Sequence, residues 1–139
     1  MIRSAIRVLL FIFLIAPSMP AQDIPAVTSL HRLEKTGVFA FGGVGFVGRI
    51  SQGELEYRSI LSQPAPEALE QFETVYKTGN PQARSYALVG IKKLSPARFQ
   101  ELYATVSSSN EKVSTMEGCV VSSRILKDIA KDIDNDKFH

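Results

Sequence analysis

The sequence predicts an α+β domain in which a small antiparallel β-pair, at about residues 38–50 and 112–121, packs with about five helices. The central helices are expected to form a helical-hairpin array. Two segments rich in valine and glycine, VFAFGGVGFVGRI and KVSTMEGCVVSS, flank a stretch with repeated helix-start signals. The length of 139 residues, with 45% hydrophobic and 22% charged residues, is typical of one globular domain.

The first apolar segment, residues 38–50, is predicted to be a buried and bent strand. Its four glycines would each destabilise a helix by about 1 kcal/mol relative to alanine. Valine and phenylalanine are enriched in strands, and glycine within a strand often marks a bend. Residues 112–121 have the same valine-rich character, with Gly118 at a predicted bulge. We expect these two segments to be antiparallel neighbours covered by helices, because so apolar a strand would aggregate at an open edge.

The stretch between the two strands carries a series of helix-start signals. Ser51 and Glu54 form a capping box, in which each side chain satisfies a free backbone N–H of the other residue. An Asn-Pro pair at 80–81 starts another helix. Together with two further proline starts, these signals predict helices over residues 52–62, 66–78, 81–94 and 96–107. A last helix is predicted to follow a cap at Ser122 or Ser123.

Small side chains recur along the predicted helix 81–94. Ala83, Ala87 and Gly90 lie at near-helical spacing, and they leave a flat stripe against which another helix can pack closely. We expect helices 81–94 and 96–107 to pack together as a hairpin.

The amino terminus has the layout of a secretory signal peptide over residues 1–21. Arg3 and Arg7 precede an apolar run at 8–16, and small residues follow it. A run of about nine residues is too short for a bilayer, which takes roughly twenty. We therefore expect export to the periplasm or the exterior after cleavage at Ser18 or Ala21, with no stable membrane anchor after processing.

The remaining chain is predicted to contain a lead-in segment at 22–36, a single globular domain at 37–134 and a flexible tail at 135–139. The full chain has 16 basic and 14 acidic residues and a formal charge of +2. So small a charge argues against a protein whose main role is to bind nucleic acid.

Cys119 is the single cysteine of the chain. We expect it to be a small buried apolar residue, because free cysteine is among the most buried residue types. An intermolecular disulfide is a second interpretation. A third is a nucleophile, which would need a base such as His31 beside it and would make the protein a small thiol-dependent hydrolase. Two histidines and one cysteine without close spacing predict no zinc site.

Two motifs imitate binding loops without completing them. Residues 43–48 match G-x-G-x-x-G, but the next helix cap is Ser51, so no helix N-terminus begins within the motif to hold a dinucleotide. Residues 132–136 imitate the start of a calcium loop, but Lys137 stands where glycine is needed. Acidic pairs such as Glu54 and Glu56 fit ordinary helix surfaces. We therefore expect no cofactor and no metal.

The lack of a catalytic constellation in the sequence favours an exported interaction domain that binds a protein partner over an enzyme. The expected protein-binding residues are basic side chains clustered around the helical hairpin, which can steer an acidic partner. They are Arg84, Lys92, Lys93 and Arg98. A further alternative is an apolar-ligand carrier, with Phe39, Phe41 and Phe46 lining its pocket.

Overall fold

A computed structural model describes residues 24–139 of the chain. The predicted signal peptide at 1–21 lies outside the described residues. The described chain is a small α+β fold, as the sequence predicted, with six helices and two antiparallel strand pairs where about five helices and one pair were expected. Its elements, in order, are α1 (Ile24–Glu34), β1 (Gly43–Val44), β2 (Arg49–Ile50), α2 (Gln52–Leu61), α3 (Ala65–Thr78), α4 (Pro81–Leu94), α5 (Pro96–Val106), β3 (Lys112–Glu117), β4 (Val120–Ile125) and α6 (Leu126–Asp134).

The predicted boundaries of α2 to α5 are confirmed to within one residue. At α2 and α4 the start signals act through side-chain hydrogen bonds, whereas α3 and α5 begin at prolines without such a bond. The Glu54 carboxylate, expected to accept from the Ser51 N–H, accepts from Gly42 and Arg58 instead. The side chain of Ser51 accepts a bond from the Glu54 backbone N–H at 3.1 Å, and that of Asn80 accepts one from the Ala83 N–H at 2.9 Å. Each bond satisfies a donor that the first turn of a helix leaves free.

Helix α4 lies at the centre of the fold, packed against α2, α3, α5 and α6. Tyr86, Leu88 and Ile91 are fully buried along it. The predicted close approach at the small residues is confirmed on the side of α3, because a Cβ on Gly90 would lie 2.5 Å from the ring of Phe72. Glycine, which has no Cβ, therefore fits this helix contact without displacing the Phe72 ring.

The strand pairing differs from the prediction that 38–50 and 112–121 are antiparallel partners. Residues 38–50 do not form one strand, because the chain reverses at glycines with positive φ and pairs β1 with β2. Gly45 and Gly48, at φ of +72° and +63°, enclose this turn. Contact between the two segments consists of isolated parallel bridges, from Phe39 to Thr115 and from Val44 to Gly118.

The second valine-rich segment is a complete hairpin rather than a single strand with a bulge. Gly118 and Cys119 form a two-residue loop between Glu117 and Val120. Only Gly118 of the two has a positive φ, at +56°, which is the pattern of a type II′ turn. Two predictions are therefore wrong: Cys119 is exposed at the turn rather than buried, and Ser122 and Ser123 lie in β4 rather than capping a helix.

Helix α6 begins at Leu126, after Ile125, without a side-chain cap. Hairpin pairing continues to Ile125, opposite Lys112, and this delays the start of the helix. Beyond α6, in the segment expected to be a flexible tail, the ring of Phe138 packs edge-on against Phe39 with centroids 5.1 Å apart.

Candidate functional site

The base of the first hairpin is fixed by buried polar groups. Glu54 is 1% exposed, and its Oε2 accepts a hydrogen bond from the Gly42 N–H at 2.8 Å. Its Oε1 accepts from Arg58 Nη2 at 2.6 Å, so the buried carboxylate has a cationic partner. Three residues before Glu54, the Ser51 Oγ donates to the carbonyl of Ala40 at 3.0 Å. The capping box of α2 therefore also anchors the extended segment that leads into β1.

The turns of the two hairpins lie side by side. The Gly45 N–H donates a hydrogen bond to the Gly118 carbonyl at 2.7 Å. Four apolar side chains in or next to these two turns are highly exposed: Phe46 (99%), Val47 (74%), Val120 (67%) and Val121 (65%). We call this set the apolar tip. Successive residues of a strand point to opposite faces, so Val120 and Val121 expose apolar surface on both faces of the second hairpin's end.

The outer edge of β4 adjoins the apolar tip. Hairpins with two-residue loops close on a hydrogen-bonded pair, here Glu117 and Val120, and bonded pairs then alternate along the ladder. Backbone groups of Ser114 and Met116 confirm this alternation, because they point away from β4 and bond Phe39 instead. It follows that the N–H and C=O groups of Val121 and Ser123 point away from β3.

No backbone bond in the described chain reaches these outward groups of Val121 and Ser123. We call them the β4 edge. The strand is open to solvent along most of its length, since residues 120–123 are all exposed. Unpaired groups on an exposed strand form a template that another strand can extend.

The predicted basic residues are mostly bound to acids of the same chain. Arg84 Nη1 lies 2.8 Å from Glu111 Oε2, and Arg98 Nε lies 2.8 Å from Glu73 Oε1. Lys92 is paired as well, 2.8 Å from Asp136, and it also donates to the carbonyl of Ile133. Lys93 is exposed. Internal pairing neutralises most of the charge through which this surface would steer a partner.

The structure does not bring Cys119 and His31 into contact. His31 Nδ1 lies 3.1 Å from Glu34 on its own helix, whereas Cys119 lies at the hairpin turn. The three phenylalanines of the carrier hypothesis also separate: Phe39 is 2% exposed and packs with Phe41, while Phe46 is in the solvent. These residues do not line one pocket together.

Within residues 24–139, no group of three or more histidine, cysteine or acidic side chains is placed to hold a metal ion. The acidic segment at 132–136 instead forms intrachain bonds, with Asp132 accepting from both Arg124 and Lys137. Burial acts to raise the pKa of Asp132, but the hydrogen bonds and the positive charges of Lys137 and Arg124 together outweigh it and lower the pKa. None of the described helices has the length and apolar character to cross a membrane.

Comparison with protein-family models, curated proteins and solved structures finds no match to this chain.

The apolar tip includes two residues, Val120 and Val121, that sequence reasoning placed in a buried strand. A local signal for their exposure was present in the sequence. Glycine at the first central position of a two-residue loop, as in Gly118-Cys119, is typical of a type II′ hairpin. Such a turn places the flanking valines at a hairpin end, where neighbouring elements cover less of the strand.

Proposed function

We propose that the protein is an exported interaction domain that binds an extended polypeptide segment through the apolar tip and the β4 edge. The observation that carries the proposal is the coincidence of the two features at one place. Val121 belongs to both, because its side chain is 65% exposed while its backbone groups point away from β3. A bound segment would gain backbone hydrogen bonds at the edge and apolar contacts at the tip.

The electrostatics favour this surface over the basic residues. An acidic partner would have to compete with Glu111 for Arg84 and with Glu73 for Arg98. The exposed side chains of the apolar tip do not have to be released from an ion pair before a partner binds. Burying Phe46 and its neighbours is favourable at roughly 25 cal/mol per Å² of apolar surface removed from water.

Site-specific photo-crosslinking in the producing cells tests the proposal. A photoreactive phenylalanine analogue at Phe46 should give an adduct with a polypeptide, and the same analogue at Lys93, which is exposed on α4, should give none. Adducts at Lys93 alone would favour the basic surface, and no adduct at Phe46 would overturn the proposal. A thermal melt of each labelled protein shows that the analogue leaves the fold intact.

Export is the second part of the proposal, and it is supported by Arg3, Arg7 and the apolar run that follows them. Intact-mass measurement of the native protein should give a chain that begins after Ser18 or Ala21. A mature species that retains Met1 would contradict export by cleavage.

A further inference from the structure

We propose that the segment bound at the β4 edge is β4 of a second copy of this chain. The two hairpins would then form a four-stranded antiparallel sheet around a two-fold axis. This inference rests on the proposed binding role of the edge, and it identifies the partner.

β4 has one charged residue, Arg124, which is held by Asp132, and it otherwise lacks the features by which edge strands avoid self-association. Lysine, proline and bulges commonly protect an edge. β4 has the sequence VVSSRI, with neither proline nor lysine, and its six pairs with β3 run from Lys112–Ile125 to Glu117–Val120 without a bulge. Every copy carries the same open edge, so a second molecule always offers a strand of matching geometry.

The direction of the backbone groups restricts the register. Only odd-numbered residues of β4 point away from β3, so they must lie opposite odd-numbered residues of the second copy. A two-fold axis at Ser122 places Val121 opposite Ser123 of the second copy, and Ser123 opposite its Val121. Because each such pair exchanges two bonds, this register uses Val121 and Ser123 of each strand and forms four backbone hydrogen bonds, while Ile125, the third outward residue, lies at the end of the strand where α6 begins.

Charges complement each other in the same register. Glu117 lies beside Val120 and has no ion pair within residues 24–139. With the two-fold axis at Ser122, Arg124 of the second copy lies opposite Val120, on the side away from Glu117. Arg124 and Lys137 share one carboxylate, Asp132, so this group keeps an excess positive charge. The two guanidinium groups oppose valines rather than each other, and like-charge repulsion is avoided.

Cysteine cross-linking tests the position of the axis. In the predicted dimer, the two Ser122 residues form a non-hydrogen-bonded pair, whose Cα atoms are about 4.5 Å apart, within the range that a disulfide spans. Ser122→Cys in a Cys119→Ala background should therefore oxidise to a covalent dimer. Ser108→Cys in the same background is the matched control, because Ser108 is exposed in the loop after α5. Equal dimer yields from both variants would show random collision and contradict the register.

Amide hydrogen exchange on the wild-type protein tests the pairing without any substitution. The N–H groups of Val121 and Ser123 should become protected as the protein concentration rises, while that of Ser122, which bonds β3, should be protected at every concentration. Sedimentation over the same concentration series should show monomer converting to dimer. Val121 and Ser123 amides that exchange freely at all concentrations, with the protein sedimenting as a monomer, would overturn the inference.

Val121→Pro tests the outward edge of β4 without removing a hydrogen bond between β4 and β3. The Val121 N–H is not used by β3, so proline removes only the outward donor, a position that edge strands tolerate. We expect loss of the dimer with Val121→Pro and its retention with Val121→Thr, which keeps the N–H. If Val121→Pro does not fold, the exchange measurement on the wild type decides.

The outcomes also separate this inference from the proposed function. A monomeric protein whose Phe46 still cross-links to a different polypeptide in the cell would overturn self-pairing alone. No adduct at Phe46 together with a monomer would overturn both.

Discussion

The hydroxyl of Tyr86 binds both backbone groups of Ala40, accepting from its N–H at 2.9 Å and donating to its C=O at 2.7 Å. Tyr86 is fully buried in the middle of α4, and Ala40 belongs to the extended segment before the first hairpin. A single side chain thus does for this segment what a neighbouring strand would do in a sheet. Burial raises the pKa of Tyr86 despite its hydrogen bonds with Ser51 and Ala40, so the hydroxyl remains a donor well into the alkaline range.

We expect Tyr86→Phe to lower the free energy of unfolding by about 1–3 kcal/mol, because it leaves the buried N–H of Ala40 without its partner. Urea denaturation measures the change. Tyr103→Phe is the matched control, since Tyr103 is only half-buried and stacks on Phe99. Equal stability of Tyr86→Phe and the wild type would show that the hydrogen bonds of Tyr86 contribute nothing.

Stability should fall at alkaline pH through the ionisation of Tyr57. Burial, with a smaller contribution from Glu54, raises the pKa of Tyr57 from 10.0 to about 12. Between these values the unfolded chain loses the proton and the folded chain keeps it, so the stabilising contribution is present below pH 10 and declines as the pH rises towards about 12.

Tyr57→Phe should therefore flatten part of the alkaline decline in the free energy of unfolding, by on the order of 1 kcal/mol per pH unit. Urea denaturation at a series of pH values measures the slope. At neutral pH the substitution should have little effect on stability, because Tyr57 is uncharged in both the folded and the unfolded state. An unchanged alkaline slope would show that Tyr57 ionises alike in both states.

Overpacking of Gly90→Ala against Phe72 should cost about 1–3 kcal/mol. Alanine recovers roughly 1 kcal/mol of this through its higher helix propensity, so we expect a net destabilisation of up to about 2 kcal/mol. Gly37→Ala is the matched control, because a Cβ there meets nothing within 4 Å. Thermal melts of both variants measure the difference, and a Gly90→Ala variant more stable than the wild type would contradict the contact.

Cys119→Ala should change the free energy of unfolding by less than about 0.5 kcal/mol, because the side chain is exposed and leaves no cavity. In the folded protein, the thiol should react fully with a neutral reagent without denaturant. A loss of 1 kcal/mol or more, as expected for a buried cysteine, would place the side chain in the core after all.

The four central helices, α2 to α5, were predictable because their signals are local. A cap such as Ser51 with Glu54, or Asn80 before Pro81, acts within one turn of the chain, so sequence alone locates the helix start. The strand partners depend on where the chain reverses. Glycine permits reversal at many positions, but only the folded backbone shows that Gly45 and Gly48 adopt positive φ and close a hairpin.

The candidate site was harder to predict than the fold. Apolar segments such as 38–50 are normally buried, and nothing in their composition separates the buried Phe39 from the exposed Phe46. The pairing of Arg84 with Glu111, 27 positions along the chain, likewise depends on tertiary contact. Sequence therefore identified the basic residues but not the acids that neutralise them.

The attachment of the first hairpin to α2 and α4 affects the thermodynamics of association. Because Tyr86 and Glu54 hold the base of the hairpin before any partner arrives, little conformational entropy remains to be lost there on binding. The heat-capacity change of complex formation should then be small and set by the apolar area covered at Phe46 and its neighbours, without the large additional decrease that accompanies coupled folding.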